Sequence, residues 1–492
     1  MARIFIISNR VATPHPQGVH PGGLEVALSA TLKRHTCVWL GWSGEVKAPD
    51  AIETRTIERN NITYIVTDLS QEDFEEYYNG FANRVLWPIL HYRLDLAEFS
   101  RHDLTGYFRV NDIFAEQLDK ILEPDDVVWV HDYHLIPLAK ALRARGRHNR
   151  IGFFLHIPLP PPEILTALPR HAQLIPALCD YDLVGFQTDG DAANFARYLS
   201  RETGAPLHIF RNSGHGDSSM RIGTFPVGIE TREFRRRARR AARSTFVRDV
   251  LQSVPGALIV GVDRLDYSKG ITLRLDAFEA FLRGNPDWRN KVTYLQITPR
   301  SRSQIREYAD MEQLVSAAAG RINGTYGDAS WTPVRYINRS YSRTALAGLY
   351  RTARVGLVTP LRDGMNLVAK EFVASQDSQN PGVLVLSHFA GAAAELRAAL
   401  LVNPYDPEAV GEAIARALAM PLPERIERHA ALFQALLKND ISLWGDRFLS
   451  ALTGSAKFDP RAPDLSEDDN APQRFAGSHE RNPSAPRAHR NT

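Results

Sequence analysis

Two loops carry the residues of this chain best suited to chemistry. The first lies in Leu258-Ile-Val-Gly-Val-Asp-Arg-Leu-Asp-Tyr-Ser-Lys-Gly270, where a short apolar run gives way to a polar turn with Arg264 and Lys269. The second lies in Val355-Gly-Leu-Val-Thr-Pro-Leu-Arg-Asp-Gly-Met-Asn-Leu-Val-Ala-Lys-Glu-Phe372, where Arg362, Asp363 and Asn366 precede a helical pattern that contains Glu371. Two cations leaving one sheet edge suit a diphosphate. A helix that starts at the carboxyl end of a buried strand presents free N–H groups and a partial positive charge, which favour the same anion. Glu371 lies about one turn into that helix, where a carboxylate can accept hydrogen bonds from ribose hydroxyls. Each unit alone also fits an ordinary strand–loop–helix turn with a solvated cation. Both together point to one anionic nucleotide site.

These loops need a sheet to position them. Apolar periodicity predicts strands in the first half at 4–7, 38–41, 62–66, 127–130, 151–155 and 183–186, with 207–210 and 222–225 as further candidates. Helical patterns fall at 24–34, 110–121, 136–145 and 191–200. This is the alternation of an open parallel sheet with crossover helices. Phe225-Pro-Val-Gly-Ile-Glu230 reads as a crossing into a second unit. That unit repeats the rhythm, with strands at 258–262, 293–297, 334–337, 355–358, 383–386 and 400–402. Helical patterns at 407–419 and 422–452 close it. Beyond about Asp459, prolines sit among Ser, Asn, Asp and Arg, with too few apolar residues to offset the entropy of ordering, so a disordered tail is expected.

Longer strings carry a family resemblance. Val262-Asp-Arg-Leu-Asp-Tyr-Ser-Lys-Gly270, Pro360-Leu-Arg-Asp-Gly-Met-Asn-Leu-Val-Ala-Lys-Glu371, His131-Asp-Tyr-His134, Ile151-Gly-Phe-Phe-Leu-His-Ile-Pro158 and Val85-Leu-Trp-Pro88 closely resemble the trehalose-6-phosphate synthase family, in the same order from about Ile4 to about Leu452. The resemblance implies an α/β GT-B fold, with two Rossmann-like domains facing each other across a cleft. The expected divisions are 1–228 for the acceptor-side domain and 229–430 for the nucleotide-sugar domain. A C-terminal helix at 431–455 would pack back on the first domain, with Trp444 and Phe448 in the contact, and 456–492 would be the tail. It also implies a retaining transfer of glucose from UDP-glucose to glucose 6-phosphate.

The family pattern assigns roles residue by residue. Arg264 and Lys269 are the expected diphosphate cations, with His156 and Asp363 at the transferred glucose. Gly22, Gly23, Tyr341, Gly364, Met365, Asn366, Leu367, Val368 and Glu371 are expected to hold the donor. Arg10, Tyr78, Trp87, Asp132 and Arg302 are expected to hold the acceptor, with Arg10 and Arg302 on its phosphate. Arg300 and Glu25 depart from the usual family residues. Plainer readings stand beside these. Gly22-Gly23 also fits a simple turn, Tyr341 a half-buried loop aromatic, Tyr78 and Trp87 core packing, and His156 a satisfied core histidine.

His131, Asp132, His134 and His156 offer metal-ligating types, but a His-x-x-His beside an Asp is not a trusted ligand pattern. The family reading places arginine and lysine where a metal would otherwise neutralise the diphosphate, so no metal and no cofactor is expected. Composition bounds the rest. The chain has 492 residues, a net charge of +3 and two cysteines. Near-neutrality gives no field that demands nucleic acid or a membrane, and the basic run Arg235–Arg243 reads as a solvated helix face. Few cysteines and no long apolar run suit a cytoplasmic place. A homo-oligomer is compatible with the sequence. A sister synthase with another phosphorylated acceptor and a catalytically silent sugar-phosphate sensor are the rival functions. The intact candidate residues argue against both.

Overall fold

The computed structural model describes residues 3–11, 28, 36–59, 61–204, 220–300 and 306–454. Gly22, Gly23, Glu25 and Arg302 lie outside them, as do the expected strand at 207–210, most of the helix at 24–34 and the tail.

The first sheet contains β1 (Ile4–Arg10), β2 (Cys37–Lys47), β3 (Thr54–Arg59), β4 (Ile62–Ser70), β5 (Val127–His131), β6 (Arg150–Phe154), β7 (Leu183–Phe186) and β8 (Arg221–Thr224). Their order is β3-β4-β2-β1-β5-β6-β7-β8. All neighbours pair in parallel except β3 and β4, with Ile6 opposite both Trp39 and Trp129. Strands buried on both faces read as unbroken apolar runs, as Val127–His131 does. The antiparallel β3 has no place in the sequence reading, because its six residues are all exposed and give no alternation.

The second sheet contains β9 (Ala257–Val262), β10 (Val292–Ile297), β11 (Val334–Ile337), β12 (Val355–Val358), β13 (Val383–Ser387) and β14 (Leu400–Val402). It runs β11-β10-β9-β12-β13-β14, all parallel. β9 and β12, which carry the two chemical loops, are neighbours at its centre. That adjacency brings Lys269 and Asp363 together, and the strand order reversal there is where open α/β sheets hold ligands.

The chain crosses between the sheets at Phe225–Glu230 and returns near Asn439. The two crossings touch. A Cβ at Gly228 would lie 1.9 Å from the Asn439 carbonyl oxygen, so a side chain there would separate them. Ile441 N–H donates to the Ile229 carbonyl at 3.2 Å. The pattern read as one helix over 422–452 is two, Leu422–Lys438 and Ile441–Thr453. Asp440 breaks it by capping the second helix through Ser442 N–H. That helix lies on the first sheet, with the Phe448 ring stacked 4.7 Å from Trp129 and Trp444 tilted at 4.9 Å.

Phe74–Leu86 winds as a π-helix. Its wider turn moves apolar residues off the 3.6-residue period, which hides it from a helical pattern search. Among the described residues, no helix is long and apolar enough to cross a membrane. Cys37 and Cys179 are both unpaired.

Candidate active site

The loops after β9 and β12 are laced together by side chains and backbone. Arg274, on helix Ile271–Gly284, is 1% exposed and reaches both loops. It donates to Asp263 Oδ2 at 2.5 Å, Thr359 Oγ1 at 2.9 Å and the Lys269 carbonyl at 3.0 Å. Ser268 contributes its carbonyl to Leu361 N–H at 2.7 Å. Gly270 has φ +62°, and a Cβ there would lie 2.9 Å from the Thr359 carbonyl oxygen, so both conformation and space require glycine.

Lys269 and Asp363 meet on this frame, Nζ to Oδ2, at 2.5 Å. Asn366 Nδ2 donates to the same Asp363 oxygen at 3.0 Å, while its Oδ1 caps Ala369 N–H at 3.1 Å. Asn366 holds φ +80°, uncommon outside glycine but favoured by Asn among the rest. The helix it starts is Leu367–Ser375. A helix N-terminus carries a partial positive charge, and here it starts at the residue that shares Asp363 with Lys269. Met365 is buried, while Leu367 and Val368 are half-buried against the core. Gly364 faces the first domain, where a Cβ would come within 2.2 Å of the His156 carbonyl oxygen.

Glu371 is buried at 9% exposure and accepts from Arg343 Nη2 at 2.7 Å. Burial pushes its carboxyl above the usual range and Arg343 opposes that. Arg343 therefore shares the expected ribose position, a partner the sequence reading missed although it directly follows Tyr341-Ser342. Tyr341 packs against Phe246 at 5.3 Å and lines an apolar pocket of about 50 Å³ with Ile297 and Leu349.

The first domain faces these loops with rings. Arg10, exposed at the end of β1, lies 5.9 Å over Trp42, and Trp42 packs on Tyr78 at 5.5 Å. Tyr78 also stacks on Phe74 at 5.5 Å and His134 at 6.0 Å. Trp87 is 4% exposed, packed on His91 at 4.1 Å, and the Arg264 guanidinium from the second domain sits 5.8 Å over it. Thus Trp87 is a packed core ring and also reaches the cleft.

Asp132, at φ +75°, accepts from His156 N–H at 3.2 Å. His156 Nε2 and His131 Nδ1 are 3.1 Å apart. Burial pushes His156 down to about 3, so it is neutral over the physiological range. His131 and His156 bond each other and His134 packs tilted on Tyr133 at 3.9 Å, which is packing geometry for rings that the sequence could take as a metal cluster. Among the described residues, the grouping with metal-like spacing is Glu72, Glu76 and His102. There Arg109 already takes Glu76 Oε2 at 2.9 Å and Asp73 at 2.8 Å.

This layout invites comparison with known proteins. A model of glycosyltransferase family 20 matches residues 11–454. The chain belongs to glycosyltransferase family 20. A family relative, a trehalose-6-phosphate synthase from Sinorhizobium fredii, is 54% identical over 461 residues, 93% of this chain and 99% of the relative. The structure of a UDP-forming alpha,alpha-trehalose-phosphate synthase from Burkholderia xenovorans in complex with glucose-6-phosphate superposes with a TM-score of 0.87 at 46% identity, covering 92% of this chain and 100% of that one. An E. coli structure bound with UDP-2-fluoro glucose gives 0.85 at 45% identity, covering 94% and 100%. This agreement makes the family's GT-B architecture the fold of this chain.

Other residues at the site had weaker sequence signals. Arg274 announces itself only as a cation within an apolar helical pattern. His91, 3% exposed, donates from Nδ1 to the Trp87 carbonyl at 2.8 Å, and burial pushes it down to about 4. Arg300 is held by Glu312 in a forked pair, with Nη2 at 2.7 Å, which occupies the extra arginine seen beside Arg302.

Proposed function

We propose that this family 20 enzyme transfers glucose from UDP-glucose to glucose 6-phosphate with retention, giving α,α-trehalose 6-phosphate and UDP. The carrying observation is the Lys269–Asp363–Asn366 cluster at a helix N-terminus, with Arg264 of the loop after β9 seated over the Trp87 ring. Lys269, Arg264 and the first N–H groups of helix Leu367–Ser375 take the diphosphate and stabilise charge as the sugar–phosphate bond breaks. Glu371 and Arg343 hold the ribose, and Tyr341 borders the base. Asp363, Gly364, Met365 and the neutral His156 address the glucose hydroxyls. Arg10, Tyr78, Trp87 and Asp132 receive glucose 6-phosphate, with Arg302 as a second phosphate ligand.

In the step, the bond from glucose C1 to the phosphate oxygen breaks. The acceptor's C1 hydroxyl bonds to C1 on the same face, and its proton passes to the departing phosphate oxygen. Lys269 and Asn366 hold Asp363 through Oδ2, which leaves Oδ1 for a glucose hydroxyl, and the internal return needs no protein nucleophile. Arg264 and Lys269 supply the countercharge, so the proposal includes metal independence. A cytoplasmic location belongs to the same proposal and is supported by the two unpaired cysteines.

The test is UDP release from UDP-glucose with and without glucose 6-phosphate, in EDTA, with the sugar product identified. Acceptor-dependent release with an α,α-linked disaccharide phosphate is expected. Release only with another acceptor, or tight sugar-phosphate binding without release, overturns the reading.

A further inference from the structure

The turn that follows Trp87 joins both sides of the cleft. Helix Trp87–Leu90 ends at once, and His91, Tyr92 and Arg93 fold back by donating N–H bonds to Trp87, Ile89 and Pro88 at 3.1, 3.0 and 2.8 Å. Tyr92 takes φ +66°, an outlying conformation for a bulky residue. A residue held there needs surroundings that over-determine it, and such strain gathers at functional sites.

The surroundings come from both domains, with the Tyr92 hydroxyl bonded to Asn194 of its own domain and its ring facing the other. The Arg362 guanidinium lies 4.0 Å from the Tyr92 ring centre and 4.9 Å from that of Phe389, so a cation from the second domain is sandwiched between a ring of each domain. Arg362 Nε is buried without a hydrogen-bond partner, and the two rings together with the nearby Asp191 carboxylate restrain the guanidinium. One residue on, Asp363 holds Lys269. At the other end of the turn, Arg264 sits over Trp87, and Arg93, braced by Asp95 at 2.8 and 2.7 Å, lies 5.5 Å over Tyr267. The turn thereby reaches both donor loops, 263–270 and 359–366, from the acceptor side.

We infer that the turn Trp87–Arg93 is a cross-domain latch in which Tyr92 and Arg362 are positioning residues, seating the Asp363 loop against the acceptor wall. This inference rests on the transfer reaction proposed above. Most of the proposed UDP contacts, Arg264, Lys269, Arg343 and Glu371, lie on the second domain, whereas transfer needs the donor loop registered to the acceptor. Losing the latch therefore costs turnover and spares nucleotide affinity.

The experiment compares Tyr92→Leu, Tyr92→Phe, Arg362→Met and the Tyr92→Leu/Arg362→Met double variant with the wild type. Titration calorimetry measures UDP binding, steady-state assay measures kcat, and hydrogen exchange follows the 359–366 loop. The two single disruptive variants should each lose about tenfold in kcat, the scale of a partly desolvated cation–π contact. Their UDP Kd should stay within about twofold, and the double variant should lose no more than the worse single, because both remove one contact. Tyr92→Phe keeps the ring and should keep the rate. Additive losses, wild-type kcat in Tyr92→Leu, or UDP affinity falling in step with kcat overturns the latch. Hydrogen exchange separates this from the function itself. Faster exchange of 359–366 in Tyr92→Leu is expected even if the wild type transfers no glucose, and unchanged exchange counts against the latch. If Tyr92→Leu does not fold, Arg362→Met decides by the same readings.

Discussion

The two walls of the cleft are built from different materials. The donor wall is charge locked to charge. Arg274 is paired to Asp263 with both side chains at 2% exposure or less, Lys269 to Asp363, and Arg343 to Glu371. The acceptor wall is ring on ring, with Phe74, Tyr78 and His134 in a stack flanked by the tilted Trp42, and Trp87 tilted on His91 beside it. Oriented charges inside a structure do not reorganise during reaction, and that suits a wall that must stabilise a leaving diphosphate. Rings offer broad apolar faces with little rotamer entropy to lose, which suits a wall that must fit a sugar. The difference predicts how each wall fails. Removing one partner from the charged wall strands a buried charge, whereas trimming a ring removes only contact area.

The sharpest way to break this contrast is Arg274→Met. Asp263 would be left buried and unpaired, and loss of one partner of such a pair costs about 3–5 kcal/mol. Denaturant unfolding should show that loss, and Asp263→Asn in the same chain should recover part of it. A loss below about 1 kcal/mol would mean that the donor wall is not held by its charges. Next is Lys269→Ala, which removes the charge proposed above to meet the diphosphate. A fall of about 10²–10³ in kcat is expected, the scale for losing one preorganised donor. A change in KM alone would place Lys269 in ground-state binding.

Acid should distinguish the walls as well. His91, near 4, and His156, near 3, both belong to the acceptor side and are neutral in the folded chain. Unfolded histidine titrates near 6.5, so below about 6.5 the unfolded chain binds more protons and stability falls with pH. Each ring contributes about 1.4 kcal/mol per pH unit until its folded value is reached. Glu371 has the opposite sign. Its carboxyl is raised by burial, so the folded chain protonates more readily and the cost of burying its charge fades on acidification. His91→Gln should flatten the fall in stability between pH 6 and 4.5, read from melting temperatures across that range. An unchanged slope would show that His91 does not carry acid lability.

The same contrast governs what could be read from the sequence. Arg264, Lys269, Asp363 and Glu371 stand out because polar residues after unbroken apolar strands have few structural reasons to be there. The central strands were legible for the same reason. Ring roles were not, since Tyr78 and Trp87 look identical as core or as sugar platform, and the π-wound Phe74–Leu86 segment disguises which face they share. Arg274 and Arg343 were missed because their meaning depends on partners distant in sequence, Asp263 and Thr359 for one and Glu371 for the other. Tyr92 was invisible for another reason. Its backbone strain and its cation partner both come from the fold, and no local pattern encodes either.

The smallest effect should come from the acceptor wall. Tyr78 is half-buried, touching Trp42, Phe74 and His134 through its ring, and Arg10 lies over the far end of that stack. Tyr78→Leu keeps apolar volume and strands no charge, so the loss is limited to aromatic contact, about 0.5–1.5 kcal/mol. That corresponds to a KM for glucose 6-phosphate about 2- to 13-fold higher. The KM for UDP-glucose should not move, because the donor loops are held by Arg274 and Lys269 and not by this ring. A loss of kcat near that of Lys269→Ala would show that Tyr78 acts on the reacting atoms, and the division into a charged wall for the leaving group and an aromatic wall for the acceptor would fail.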